Sequence, residues 1–266
     1  MRSAIQLLFG VVLLMGVATA RAQKLPDKQV LSLRAPASIK IDGKATEWGD
    51  KFQAYNNATG VFYTVANDDE NLYLTIKATA PEVVRRILNG SITFTINKTE
   101  KKDKAGMSIT YPFFDDHTPM LDAIFKNKPQ ILEGSPSSVS LANAYMDDNN
   151  RKLAAKIKYI KVNGIPGLDT LVSVYNNDGL KAAALFDNTM AYTYEMAVSL
   201  KNLGLSIDNP IKFNYNILIN AVAGHGYTIE RNAEGKVTSL EKTEVDGQLS
   251  QVAAGFFGEY TLLLKW

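Results

Sequence analysis

Val61-Phe62-Tyr63-Thr64-Val65-Ala66-Asn67-Asp68-Asp69-Glu70-Asn71-Leu72-Tyr73-Leu74-Thr75-Ile76-Lys77 is the stretch on which the fold turns. Val61, Tyr63 and Val65 alternate with Phe62, Thr64 and Ala66, and Leu72, Leu74 and Ile76 alternate with Tyr73, Thr75 and Lys77. Successive side chains on a strand point to opposite faces, so each run reads as a half-buried strand. The polar cluster Asn67–Asn71 between them carries turn residues, which predicts a hairpin over 61–79.

The same period of two extends in both directions. Upstream, Ile39 and Ile41 alternate with Lys40 and Asp42, after a mixed lead-in over 23–37 that contains Pro26 and Pro36. Downstream, Ile92, Phe94 and Ile96 alternate with Thr93, Thr95 and Asn97. Pro81-Glu82 ahead of Val83, Val84, Ile87 and Leu88 reads as a short helix with proline in its first turn. Met107 to Phe114 is a further strand candidate, and Thr118 to Phe125 a short helix capped by Thr118 with Pro119 following. Gly134 to Ser140 reads as a loop and Ala142 to Asn150 as a polar stretch. The region 100–170 is therefore expected to be an insertion on the domain or a cover over one end. Strand patterns resume at Ile157. Asn176-Asn177-Asp178-Gly179 separates Leu171–Tyr175 from Lys181–Phe186, predicting a second hairpin. Tyr192, Tyr194, Met196, Val198 and Leu200 share one strand face. Phe213, Tyr215, Ile217 and Ile219 share another, with Asn214, Asn216 and Asn220 opposite. Glu230 to Gln248 is polar and charged, and Tyr260, Leu262, Leu264 and Trp266 close the chain on one face. Many short strands joined by polar turns define an all-β chain: an antiparallel β-sandwich, jelly-roll-like, with short helices in an insertion. Composition does not shift from 38 to 266, which predicts one domain there.

Residues 1–22 form a secretory signal. Arg2 gives the positive start, Ile5–Val17 an apolar run too short to span a bilayer, and Ala20-Arg21-Ala22 the small residues read at cleavage before Gln23. The mature protein is expected to be secreted or periplasmic. The chain of 266 residues has 29 basic and 27 acidic side chains, and removal of Arg2 and Arg21 with the signal leaves the two in balance. A nucleic-acid binder would show a basic excess. With 46% hydrophobic residues the chain can build a core, and with no cysteine it has neither disulfides nor thiolate chemistry. No later stretch approaches membrane-spanning length, so no membrane span is expected.

Asp68, Asp69 and Glu70 place three carboxylates in succession, candidate oxygen ligands for a structural calcium ion. Hairpin turns favour the same residues for their own reasons. Tyr111, Phe113, Phe114, Asp115, Asp116 and His117 combine aromatic rings with acids and a histidine inside the irregular region. Flat rings suit the C–H faces of a sugar, and carboxylates suit its hydroxyls, so these six are the candidate ligand-binding residues; a strand end packing its rings and exposing its acids would have the same sequence. Asp147-Asp148-Asn149-Asn150 reads as a solvated turn, and His225 between Gly224 and Gly226 as a turn after a strand. No Gly-x-Ser-x-Gly elbow and no phosphate-binding glycine loop is present, and a non-enzyme is expected.

Three segments in order carry a resemblance. They are Ile39-Lys40-Ile41-Asp42-Gly43 with Glu47-Trp48; Phe62–Val65 with Asn67–Leu74; and Tyr194–Leu200 with Leu203-Gly204-Leu205 and Lys212–Asn216. Together they resemble family-nine carbohydrate-binding modules and the wider DOMON-like β-sandwich superfamily. The resemblance implies a jelly-roll-like sandwich of two antiparallel sheets with a non-catalytic binding role. In the sugar-binding members two tryptophans clamp a sugar ring and calcium braces the loops; some DOMON relatives bind haem through methionine and histidine. Here the mature chain has only Trp48 and Trp266, and neither maps onto the clamp. Trp48 falls where the family's aromatic packs. The expected function is a binding module that presents a loop or sheet-face site to a glycan or similar polar ligand. The alternative is an envelope interaction protein that keeps the sandwich without the sugar site, with a protein partner.

Overall fold

A computed structural model describes residues 24–49, 51–99, 106–114, 124, 128–129, 136–233 and 237–264, with the backbone path alone at 223–229, 231 and 237–250. The chain is mostly β. One antiparallel sheet has the order β1 (Ala54–Asn56), β2 (Val61–Asn67), β3 (Asn71–Ala78), β9 (Tyr192–Ser199), β8 (Leu180–Phe186). The other runs β13 (Ala254–Thr261), β10 (Lys212–Ile219), β4 (Ile92–Asn97), β5 (Met107–Phe113), β6 (Tyr159–Asn163), β7 (Leu171–Ser173). The 61–79 hairpin forms as read, with Val65 opposite Leu74 and Asn67 opposite Leu72.

The two sheets share one core. Tyr63, Val65, Leu74, Ile76, Tyr194 and Met196 of the first pack with Phe94, Ile96, Ile109, Tyr215 and Ile217 of the second, all essentially inaccessible to water. Burying each such side chain contributes about 1.5–3 kcal/mol. The Tyr63 and Tyr215 rings meet edge-on across the interface, and their hydroxyls lie 3.3 Å apart, so each polar tip has a partner.

The outer face of the five-stranded sheet is covered. Phe62, Ala66, Tyr73 and Ala197 lie beneath Leu25, Leu33, Ala35, Ile39, Ile41, Ala45, Trp48 and Phe52 in a second apolar layer. Residues 24–53 thus form a strap across the sheet. Gln29 fastens it by exchanging hydrogen bonds with both backbone groups of Val65, at 2.7 and 2.8 Å. Ile39 and Ile41, expected as a strand, join no ladder among the described residues: the run follows a turn at 37–38, and its isoleucines are held by side-chain packing. Trp48 is a packing residue, 8% exposed, in a single 3₁₀ turn, Thr46–Trp48.

Three further segments differ from the sequence reading. Pro136–Lys156, expected as loop and polar turn, is a helix, α2, following α1 (Pro81–Gly90). Only Ser138, Ala142, Asn149 and Leu153 of α2 are buried, so no apolar stripe betrays it. Asn150 anchors it to the edge of β8, accepting from the Phe186 N–H at 2.7 Å and donating to the Phe186 carbonyl at 2.9 Å. Residues 176–179 do not close a hairpin: β7 pairs with β6 and β8 with β9, so this turn carries the chain from one sheet to the other. The polar stretch after 230 is a long strand, β12 (Val237–Gln251), paired with β11 (Val222–Arg231) as a two-stranded ribbon. His225 and its flanking glycines lie within β11, in register with Glu244, and not in a turn.

Candidate functional site

Nothing in the described residues layers over the outer face of the six-stranded sheet as the strap does over the other. Alternation decides what it shows. On β4, Ile92, Phe94 and Ile96 enter the core, while Thr93, Thr95 and Asn97 point out and are half-exposed. The ladder aligns the outward residues of neighbouring strands. Phe257, Asn216, Thr95, Ser108 and Asn163 form one row across five strands. Gly255, Leu218, Thr93, Thr110, Lys161 and Leu171 form the next. Asn214 lies between Glu259 and Asn97 in a third.

The face is therefore a lattice of hydroxyls and amides. Thr93 and Thr110 bond to each other at 2.8 Å, and Asn220 donates to Thr93 Oγ1 at 3.1 Å. Asn216 donates to the Phe256 carbonyl at 2.9 Å, which restrains its amide plane. Rings flank the lattice. Phe257 is 43% exposed on β13, Tyr159 is 39% exposed on β6, and Phe113 stands beside Tyr159 in the β5–β6 register. Strands are about 4.8 Å apart and rise about 3.3 Å per residue, so Phe257 and Tyr159, four strands apart and offset by four residues along β6, are separated by roughly 23 Å. Lys161 Nζ sits 5.7 Å from the Phe113 ring centre, a cation over a ring face.

Of the six residues singled out in the sequence three are described, and of those Phe113 alone is on this face. Tyr111 and Phe114 are 4% and 5% exposed; Tyr111 stacks on Tyr194 with centroids 5.5 Å apart, and burial pushes its hydroxyl pKa well up. Those two rings belong to the core and are not presented to a ligand. The register shift between Thr110 and Phe113 is what turns Phe113 outward. Asp115, Asp116 and His117 lie outside the described residues.

Asp68, Asp69 and Glu70 occupy the β2–β3 turn, but their carboxylates have separate tasks. Asp68 Oδ1 accepts the backbone N–H groups of Glu70 and Asn71 at 2.8 and 2.6 Å, and Oδ2 accepts the Tyr73 hydroxyl at 2.5 Å. Asp69 pairs with Arg34 at 2.7 Å, and Arg34 also donates to the Leu263 carbonyl. Among the described residues no three His, Cys, Asp or Glu side chains gather around a point where a metal ion could sit.

Two hollows open elsewhere. One of about 830 Å³ lies between α2, the end of β8 and the 43–46 loop, with Asn143, Asp147, Arg151, Lys44 and Asn188 on its walls. The other, about 610 Å³, lies at the end of the sandwich beside Asn97. The outward Thr/Asn lattice was visible in the sequence as the second phase of each alternating run. Its exposure was not, because that depends on which sheet the strap covers. No family model, curated protein or solved structure matches the chain.

Proposed function

We propose that the protein is a non-catalytic glycan-binding module, exported through its N-terminal signal, that takes a polysaccharide chain along the outer face of the six-stranded sheet. One contrast supports the reading. The outer face of the five-stranded sheet is roofed by the 24–53 strap, while the opposite outer face carries Thr93, Thr95, Thr110, Ser108, Asn163 and Asn216 with rings at its flanks. Fixed amides and hydroxyls satisfy sugar hydroxyls, and ring faces cover the sugar's C–H surface. A flat face is suited to an extended chain more than to a single residue enclosed in a pocket. Titration of the mature protein against soluble oligosaccharides, and co-sedimentation with insoluble polysaccharides, each with and without calcium, tests it. Saturable binding is expected. Absence of binding across both panels removes the reading.

A second reading, an envelope interaction protein, is favoured by the β11–β12 ribbon. Its strands pair with each other and, among the described residues, with no third strand. A two-stranded ribbon is marginal in water alone, and its open edges are templates for an added strand. Capture from envelope extract by the full chain, lost when 223–250 is replaced by a short Gly-Ser turn, would support this reading. Equal capture by both would remove it. Among the described residues no helix is long and apolar enough to cross a membrane.

A further inference from the structure

We infer that the glycan is acidic, a polysaccharide bearing carboxylate or sulfate groups; this rests on the sheet-face reading above. The polar lattice does not stop at its edge. Asn97, the last outward residue of β4, also lines the hollow of about 610 Å³ at the end of the sandwich. The described walls of that hollow include Lys98, Thr99, Gly106, Lys201 and Gly204, and among the described residues they carry two cations and no acidic side chain. Asp178 and Asp208, in adjoining loops, do not line it.

Both ammonium groups are available. Lys201, on the short helix α3 (Leu200–Leu203), is exposed, and the described residues give its ammonium group no hydrogen-bond or ion-pair partner. Lys98 is exposed and reaches the Gly204 carbonyl at 3.5 Å, at the limit of a hydrogen bond. Gly204 closes α3 in the left-handed region, φ +58°, which favours glycine. On the lattice itself Lys161 adds a third cation, while Lys212 is paired with Glu259. Among the described residues, lattice and hollow together thus carry Lys98, Lys161, Lys201 and Lys212 against Glu259, in a mature chain whose charges balance. A neutral glycan would gain nothing from that excess. A chain with regularly spaced anions would be drawn along the face and held at its end.

The test uses the mature protein with polygalacturonate oligomers and their fully methyl-esterified counterparts, which differ in charge and little in shape. Tighter binding of the acid form, weakening as salt rises, is expected. The K98Q/K201Q double variant should bind the acid form about tenfold more weakly, as two exposed charge pairs would give. Both lysines are exposed, and unchanged thermal unfolding confirms that the variant folds. Equal affinity for acid and ester, or no loss in the variant, overturns the inference. So does equal binding of polyglutamate, which would show general attraction to polyanions. Binding of neutral glycans alone would overturn the acidic assignment and leave the sheet-face reading standing; no glycan binding at all would remove both.

Discussion

The backbone N–H of Gly43 donates to Glu195 Oε2 at 2.9 Å, and that bond ties the strap over the five-stranded sheet to the strand beneath it. Asp42 N–H donates to the same oxygen at 3.2 Å. Gly43 has φ +83°, and its α-carbon lies so close to β8 that an added Cβ would be 2.9 Å from Ala184 C and Leu185 N. Only glycine satisfies both the turn and the close approach. The opening Asp-Gly pair and the Tyr-Glu pair of β9, far apart in sequence, are thus two halves of one contact. Glu195 is fully buried; among the described residues its Oε1 has no partner, nor does Nε1 of Trp48 in the same layer.

Replacing Gly43 by alanine should destabilise the protein by about 1–3 kcal/mol through the forbidden φ alone, with the clash adding to it. Urea unfolding measures the loss. Limited proteolysis should find new cleavage within 24–53, because the strap is what the contact holds.

Glu195→Ala leaves the two backbone donors unmet, at a cost of about 1–3 kcal/mol for each that stays buried. Glu195→Gln retains an acceptor and should behave differently with pH. Burial raises the Glu195 pKa above the ordinary carboxylate value; the Gly43 and Asp42 N–H groups oppose this, and the nearby Asp42 and Glu47 charges add to it. A raised acid pKa means that the folded state holds its proton longer than the unfolded chain. This contribution to stability is complete below the unfolded value and is lost as pH rises through the folded one. Wild-type stability should therefore fall relative to Glu195→Gln as pH climbs from the normal carboxylate range upward. A constant difference between the two across that range would contradict the assignment.

Tyr111 and Phe113, two residues apart, should separate cleanly. Tyr111→Ala removes a core ring stacked on Tyr194 and should cost about 3–5 kcal/mol. Phe113→Ala, on the open face, should cost under about 1.5 kcal/mol and weaken glycan binding. Chemical denaturation and calorimetric titration of both variants check the pair.

The Tyr192 and Tyr194 hydroxyls are buried, and among the described residues neither has a hydrogen-bond partner. Their replacement by phenylalanine should leave stability unchanged or raise it by up to about 1 kcal/mol, because a desolvated hydroxyl is removed. A clear loss in thermal unfolding would show that ordered water meets these groups.

What the sequence made legible was the set of strands with a strict two-residue period. β4 and β10 were readable because one buried face and one wet face leave that mark, and the β2–β3 hairpin and β9 because large core side chains alternate with smaller or polar ones that lie beneath the strap. Where burial comes from other sources the mark fails. Helix α2 is held by Asn150 on the Phe186 backbone and by Tyr145, Met146 and Leu153 packing on the core, and with Ser138 and Asn149 on the same buried side it shows no continuous apolar stripe. The turn at 176–179 has the same composition whether it closes a hairpin or crosses between sheets, and only the pairing of β8 with β9 distinguishes them. Ile39 and Ile41 alternate as a strand would but pack as a strap. For the site, Asn214 and Asn216 were visible on the outward phase of β10, yet sequence alone could not say that this phase meets solvent. Tyr111 and Phe114 looked ligand-like because aromatic residues read alike in a core and in a site.

The most direct test of the central claim is nuclear magnetic resonance mapping of a bound oligosaccharide on the isotope-labelled mature protein, with Thr95→Ala/Asn216→Ala as control. The account predicts that shifts concentrate at Thr93–Asn97, Ser108–Thr110, Asn214–Leu218 and Phe257, and that the double variant loses them while its core resonances stay in place. Shifts confined to the strap, to the α2 hollow or to the β11–β12 ribbon would contradict it.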